Sequence, residues 1–276
     1  MATLSLHEEI DPNHPDLRPY RSLRRRKDLV RESLFVAEGD KVIQELLRSS
    51  YPIESLLITP QWLERIRDLL DRRDDRIQVF LASKPTIEAI SGFECYHGIK
   101  AVGRITRPPM LGNLLESLPR PWLLCALEGI ANAENMGVIV RNASAFGVQA
   151  LVVGETSCSP FLTRSIRTSM GTVFGMPIVE NVPLQDALAL LRTQGCRLIA
   201  AHPSAEDVNL PEGPLGSDAC VIFGSEGFGI TPETLTASDL QVSIPMANAV
   251  DSLNVSSAAA VIFYEAWRQR QHRSLP

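Results

Sequence analysis

The sequence predicts an α/β protein made of a smaller and a larger unit. Three observations predict it. Short apolar runs alternate with segments of helical periodicity along nearly the whole chain, as strands joined by crossover helices do. In the second half those runs are apolar at almost every position, the pattern of strands in a parallel sheet with helices on both faces. Between the halves stands Arg107-Pro108-Pro109-Met110, which suits neither helix nor strand.

Residues 1–19 are rich in Pro, Asp and His and read as an N-terminal arm. The first unit, residues 20–106, opens with Leu34-Phe35-Val36-Ala37, a short strand closed by Glu38-Gly39-Asp40. Val42, Ile43, Leu46 and Leu47 then recur at helical spacing. A second strand is expected at 55–58, and Pro60 opens a helix with Trp62, Ile66, Leu69 and Leu70 apolar. A third strand at 77–81, a short helix at 86–90 and a fourth strand after His97 complete this unit. Residues 107–120 read as a linker. The second unit, residues 121–276, has strand runs at 122–126, 150–153, 197–201, 219–223 and 240–244, with helical segments at 135–146, 160–170 and 184–193 between them.

Hydrophobic content of 45% and charged content of 21% are those of a globular chain. No apolar run approaches bilayer length, and residues 1–11 carry acids and no apolar core of a secretory signal. Five isolated cysteines (Cys95, Cys125, Cys158, Cys196, Cys220) fit neither a disulfide framework nor a zinc pattern, which implies a reducing, cytoplasmic setting and no metal. The formal charge is −5, unevenly spread: residues 1–110 sum to +1 and the remainder to −6. Net acidity does not advertise a nucleic-acid binder, but local charge decides binding. The run Arg21, Arg24, Arg25, Arg26, Lys27 is either a solvated helix face or a phosphate-contacting patch.

Three segments carry chemistry. Asn135-Met136-Gly137-Val138-Ile139-Val140-Arg141 follows a strand and opens a helix, where α/β proteins often hold ligands. Asn132 or Asn135 suits its N-cap. On spacing alone Arg141 is a surface ion-pair partner; within an apolar helix it also suits a phosphate. Gly224-Ser225-Glu226-Gly227-Phe228-Gly229 places three glycines in six residues after a strand, for a tight turn or for backbone lying on a ligand. No Lys-Ser or Lys-Thr follows, so it is not a Walker loop, and Glu226 suits a hydroxyl or a guanidinium better than a phosphate. The third is Ile244-Pro245-Met246, then Asp251-Ser252-Leu253-Asn254-Val255-Ser256-Ser257 and three alanines. Ser252 or Asn254 suits a helix cap, and the helix is apolar nearly all round at its start, so burial is expected, a second subunit being one natural cover. Arg164 and Arg167, among Ser165, Thr168 and Ser169, form either an exposed helix end or an RNA-facing surface. His97 and His202 lack metal-ligand company and read as structural.

In this order the three segments resemble the TrmH/SpoU group of SPOUT RNA ribose 2'-O-methyltransferases, and Phe35-Val36-Ala37-Glu38-Gly39 with Tyr96-His97-Gly98-Ile99 resembles the ribosomal-protein-like substrate-binding domain that precedes it. The resemblance implies a deep C-terminal trefoil knot, a homodimer whose interface completes the active site, and S-adenosylmethionine held at Gly224, Ile244, Met246, Leu253, Asn254 and Ser256. It implies a reaction centre of Asn135, Arg141, Glu226, Ser252 and Asn254, where a ribose hydroxyl attacks the sulfonium methyl. A guanidinium holds its proton too tightly to be a good base, so Arg141 suits orienting the hydroxyl and gripping a phosphate. Where relatives approach the motif asparagine through an acidic-proline-type turn, this chain has Asn132-Ala133-Glu134. Two other readings stand beside this one: a knotted RNA-binding or assembly factor without turnover, and an unrelated α/β enzyme acting on a small nucleotide-like substrate.

Overall fold

The structure, a computed structural model, describes residues 2–8, 10–22, 28, 31–92, 97–203, 208–247 and 250–273. It divides into two compact units: residues 1–107 with 160–175, and residues 108–159 with 176–276.

The first unit is a five-stranded mixed sheet in the order β1-β4-β3-β5-β2. Its strands are β1 (Thr3–His7), β2 (Leu34–Glu38), β3 (Ile53–Ile58), β4 (Arg76–Leu81) and β5 (Ile99–Arg104). Its helices are α1 (Arg18–Ser22), α2 (Asp40–Arg48), α3 (Pro60–Leu70) and α4 (Lys84–Ser91). Pro60 sits at the start of α3, where a missing N–H costs nothing, and the Ser83 hydroxyl caps α4 by accepting from the Thr86 N–H. Leu17, Tyr20, Val36, Leu57, Phe80, Ile87 and Val102 pack one core. Tyr20 brings a hydroxyl into it, which shares a 2.8 Å hydrogen bond with Ser55; burial pushes the phenol upward.

Two expectations change here. The N-terminal arm at 1–19 is not loose: Thr3–His7 pairs in parallel with Arg76 to Phe80 as an edge strand. Its alternation of Leu4 and Leu6 with polar residues is too short a signal to separate from a polar leader. The segment 160–175, expected in the second unit, belongs to the first. Phe161 and Phe174 pack against Phe35 and Tyr51 at ring-centre separations of 5.2–5.9 Å. The short helix α7 (Thr163–Thr168) lies in this excursion.

The second unit is a seven-stranded, all-parallel sheet in the order β10-β12-β9-β11-β6-β7-β8. The strands are β6 (Leu123–Leu127), β7 (Ala150–Gly154), β8 (Ile178–Val182), β9 (Arg197–Ala201), β10 (Val208–Asn209), β11 (Ala219–Phe223) and β12 (Leu240–Ser243). The helices are α5 (Leu111–Ser117), α6 (Ala133–Ala145), α8 (Leu184–Thr193), α9 (Pro232–Ala237) and α10 (Val255–Arg273). Every residue of β6, β7 and β11 is buried, so both faces of the sheet centre are covered, as the unbroken apolar runs require. The stretch 107–120, expected as a linker, contains α5, whose Leu111, Leu114 and Leu115 join this core beside Trp122. Cys125, Cys196 and Cys220 are free and buried; burial pushes the Cys196 thiol up to about 12 and the other two upward. Among the described residues no helix is long and apolar enough to cross a membrane, and no group of three His, Cys, Asp or Glu could hold a metal.

Helix α10 closes the chain. Ala259, Ile262, Phe263 and Ala266 are buried, with Phe263 edge-on to Phe223 at 5.5 Å. Arg270 near its end donates to the carbonyls of Leu215, Pro121, Trp122 and Ser217. The all-round burial expected for this helix holds on one face only: Val261, Tyr264 and Trp267 remain 39%, 50% and 41% exposed.

Candidate functional site

The carboxyl ends of β9, β11 and β12 are neighbours, and the loops that leave them surround one cavity of about 560 Å³. This is where open parallel sheets bind ligands, because strand ends diverge there and leave backbone groups free. The walls are Phe223, Gly224, Val242, Ile244, Met246, Leu253, Ala258 and Ile262; Glu226, Phe228, Asp251, Ser252 and Asn254 bring polarity and an aromatic ring.

The loop after β11 is tightly built. Ser225 and Gly229 exchange backbone hydrogen bonds of 2.9 and 3.0 Å, and the Ser225 hydroxyl accepts from the Phe228 N–H at 3.0 Å. Gly224 lies so close to the returning strand that a Cβ would stand 2.2 Å from the Gly229 carbonyl carbon. Only glycine fits there. Beyond the loop, the buried Glu128 accepts from the Thr231 N–H and from the hydroxyls of Thr231 and Thr234, at 2.8–2.9 Å.

Helix α6 begins where β6 has ended. The Asn132 carboxamide oxygen caps it, accepting from the N–H groups of Glu134 at 2.7 Å and Asn135 at 3.4 Å. That cap holds Asn135 in the first turn, where it is buried. Asn135 Nδ2 donates to Glu226 Oε1 at 2.7 Å, and Asn135 Oδ1 accepts from Asn254 Nδ2 at 3.2 Å. Asn254 in turn caps α10: its Oδ1 accepts from the Ser256 N–H at 2.9 Å and the Ser256 hydroxyl at 2.7 Å. Three residues from three distant segments thus form one hydrogen-bonded chain, Glu226–Asn135–Asn254, whose two end residues line the cavity. It orients an amide and a carboxylate; among the described residues the second Nδ2 hydrogen of Asn135 and Glu226 Oε2 take no part in it.

Of the expected cofactor residues, Gly224, Ile244, Met246, Leu253 and Asn254 line the cavity. Ser256 does not: it is buried beneath Asn254, and its carbonyl accepts from Asn142 Nδ2 at 2.9 Å. Of the expected reaction centre, Asn135, Glu226 and Asn254 are bonded together and Ser252 lines the cavity, exposed. Arg141 is not drawn in. It is exposed on α6, and among the described residues its side chain makes no hydrogen bond or ion pair. Its place six residues after Asn135 puts it on another side of the helix.

The expected RNA-facing residues lie in the first unit. Arg21 donates to the carbonyls of Pro12 and His14, so its guanidinium ties down the N-terminal segment. Arg167 pairs with Glu38 at 3.2 Å, and the second oxygen of Glu38 takes the ammonium of buried Lys100 at 3.1 Å. Arg164 is exposed. Arg24, Arg25, Arg26 and Lys27 lie outside the described residues. His97 pairs with Asp40 at 3.0 Å, and His202 lines the cavity.

Sequence reasoning passed over Asn142, Glu128 and Ser225, which hold the site from behind. Glu128 carried a usable signal, an acid at the end of a wholly apolar strand. Asn142 and Ser225 carried none, since their partners are distant in sequence or are backbone atoms.

The sequence profile of the SpoU rRNA Methylase family matches residues 123–264, and that of the MRM3-like substrate binding domain matches residues 14–101. An uncharacterized tRNA/rRNA methyltransferase of Mycobacterium tuberculosis is 32% identical over 98% of this chain and 94% of its own length. The 23S rRNA (guanosine-2'-O-)-methyltransferase RlmB of Nitrosomonas europaea is 30% identical over 80% of this chain and 85% of its own. The fold is that of the S-adenosylmethionine-bound rRNA methyltransferase of Sinorhizobium meliloti: TM-score 0.82 at 23% identity, over 95% of this chain and 98% of that one.

Proposed function

The chain belongs to the SpoU rRNA methylase family, and from that premise we propose that it transfers a methyl group from S-adenosylmethionine to a ribose 2'-hydroxyl of rRNA or tRNA. The observation that carries the reading is the Glu226–Asn135–Asn254 chain, whose two ends line the cavity.

The cavity suits the cofactor. Its volume fits a ligand of that size, its walls are apolar against an adenine and a methylene chain, and the main chain at Gly224 is bare of a side chain. Gly224, Ile244, Met246 and Leu253 would hold it, with Asn254 at the rim. When bound, S-adenosylmethionine supplies an electrophilic methyl carried on a sulfonium. The residues then have separate tasks. Ser252 and the second Nδ2 hydrogen of Asn135 orient the incoming hydroxyl, which must lie in line with the methyl. Glu226 fixes Asn135 through one oxygen and offers the other to the hydroxyl proton or to a guanidinium. Arg141 grips the phosphate beside the target ribose, a task for which its exposed guanidinium is suited.

The protein works as a homodimer in a cytoplasmic setting. The support is the uncovered Val261, Tyr264 and Trp267 on α10, with Phe146 5.9 Å from Tyr264 at the end of α6. A second copy on this face would close the site beside Arg141. The C-terminal segment forms the trefoil knot of the family; the support is that the loops after β11 and β12 line one cavity. Arg164, Arg167 and the run from Arg21 to Lys27 meet RNA in the first unit. Purified protein with labelled S-adenosylmethionine should label RNA, and Arg141→Ala should lower the rate about 100-fold or more while cofactor affinity, read by calorimetry, stays unchanged. Cofactor binding without transfer to any RNA would favour an assembly factor instead.

A further inference from the structure

Among the described residues Phe228 is the most exposed large apolar side chain, at 98%, and it borders the cavity. Leaving a phenyl ring in water forgoes about 1.5–3 kcal/mol that burial would supply. The fold gains nothing from it, since the loop is closed by Gly224, by the paired backbones of Ser225 and Gly229, and by the Ser225 hydroxyl. The backbone that carries the ring is held in place. Its own N–H is bonded to Ser225, and Glu226, two residues before it, is held on Asn135. A side chain with two torsions on a fixed backbone loses little entropy when something flat covers it.

We propose that Phe228 is a positioning residue that stacks on the base of the nucleotide presenting the 2'-hydroxyl. This rests on the methyltransfer reading above. The acceptor oxygen must come to the cavity mouth, next to Asn135 and Glu226. The base of that nucleotide is one sugar ring from the oxygen, and Phe228 follows Glu226 by two residues in the same tight turn, bordering the same cavity. A base pulled from its neighbours loses stacking, and an aromatic side chain replaces it. The ring has no donor or acceptor, so it contributes affinity for any base and leaves base identity to other contacts.

The test uses the full-length protein, deproteinised total RNA from a strain lacking this gene, and methyl-labelled S-adenosylmethionine. Phe228→Ala should raise KM for RNA about tenfold, within the range expected for one stacked base. It should change kcat less than threefold and leave calorimetric affinity for S-adenosylhomocysteine and the sedimentation mass unchanged. Phe228→Trp should restore KM to within twofold, and Phe228→Leu, apolar but without a π face, should not. An unaltered KM in Phe228→Ala, equal rescue by Leu and Trp, or a change in sedimentation mass overturns the proposal, the last by assigning the ring to a protein interface. Wild-type protein that binds cofactor and labels no RNA overturns the methyltransfer reading itself, and this role with it.

Discussion

Asn135 is the residue on which the site turns. Its amide is held at both ends, by a carboxylate 2.7 Å away and by Asn254 at 3.2 Å, and it sits where a helix cap fixes its backbone. Removing it releases Glu226 and takes one of the bonds that hold Asn254. We expect Asn135→Ala to lower kcat by roughly 100-fold, on the order of 3 kcal/mol of lost positioning, with cofactor affinity reduced far less. Steady-state kinetics and calorimetry check both halves; an equal loss in each would make Asn135 a support of the pocket rather than of the reaction. Asparagine and acid were legible as candidates because they sit in motifs after strands. Their bond was not, since 91 residues separate them.

At the scale of elements, the loop after β11 and helix α10 decide most. The loop has room for no Cβ at Gly224, where the nearest atoms are the backbone of Gly229 and Ile230 at 2.2–2.3 Å. Backbone cannot swing aside as a flexible side chain can. Gly224→Ala should cost about 1–3 kcal/mol of stability and weaken S-adenosylhomocysteine binding at least tenfold, read by chemical denaturation and calorimetry. Helix α10 has the opposite problem, an apolar stripe of Val261, Tyr264 and Trp267 that the described residues leave 39–50% exposed. If a second copy covers it, Trp267→Asp should halve the sedimentation mass at micromolar protein while leaving the circular dichroism spectrum unchanged. A mass that stays the same would remove this face from the interface. The helix was legible from its small residues and apolar run. The division between a buried face and an open one was not, because alanines fit either side.

For the whole molecule, the cavity draws its walls from three strand ends and the start of α10, segments spread over residues 201–262. A ligand there ties these segments together and binds only the folded chain. S-adenosylhomocysteine at 100 times its Kd should therefore stabilise the protein by about 2.7 kcal/mol, seen as a raised Tm. Absence of any shift would leave the cavity without its proposed occupant.

Amino-acid order alone determined the α/β class, the two-unit plan, the parallel second sheet and the three motif segments, because hydrophobic period and turn residues are local properties. Tertiary structure alone decided that residues 160–175 pack with the first unit, that Thr3–His7 is a strand, and that Arg141 stands clear of the hydrogen-bonded centre. Those outcomes depend on which distant surface buries an aromatic ring, an edge or a charge most favourably, and that competition is settled only when the chain closes on itself.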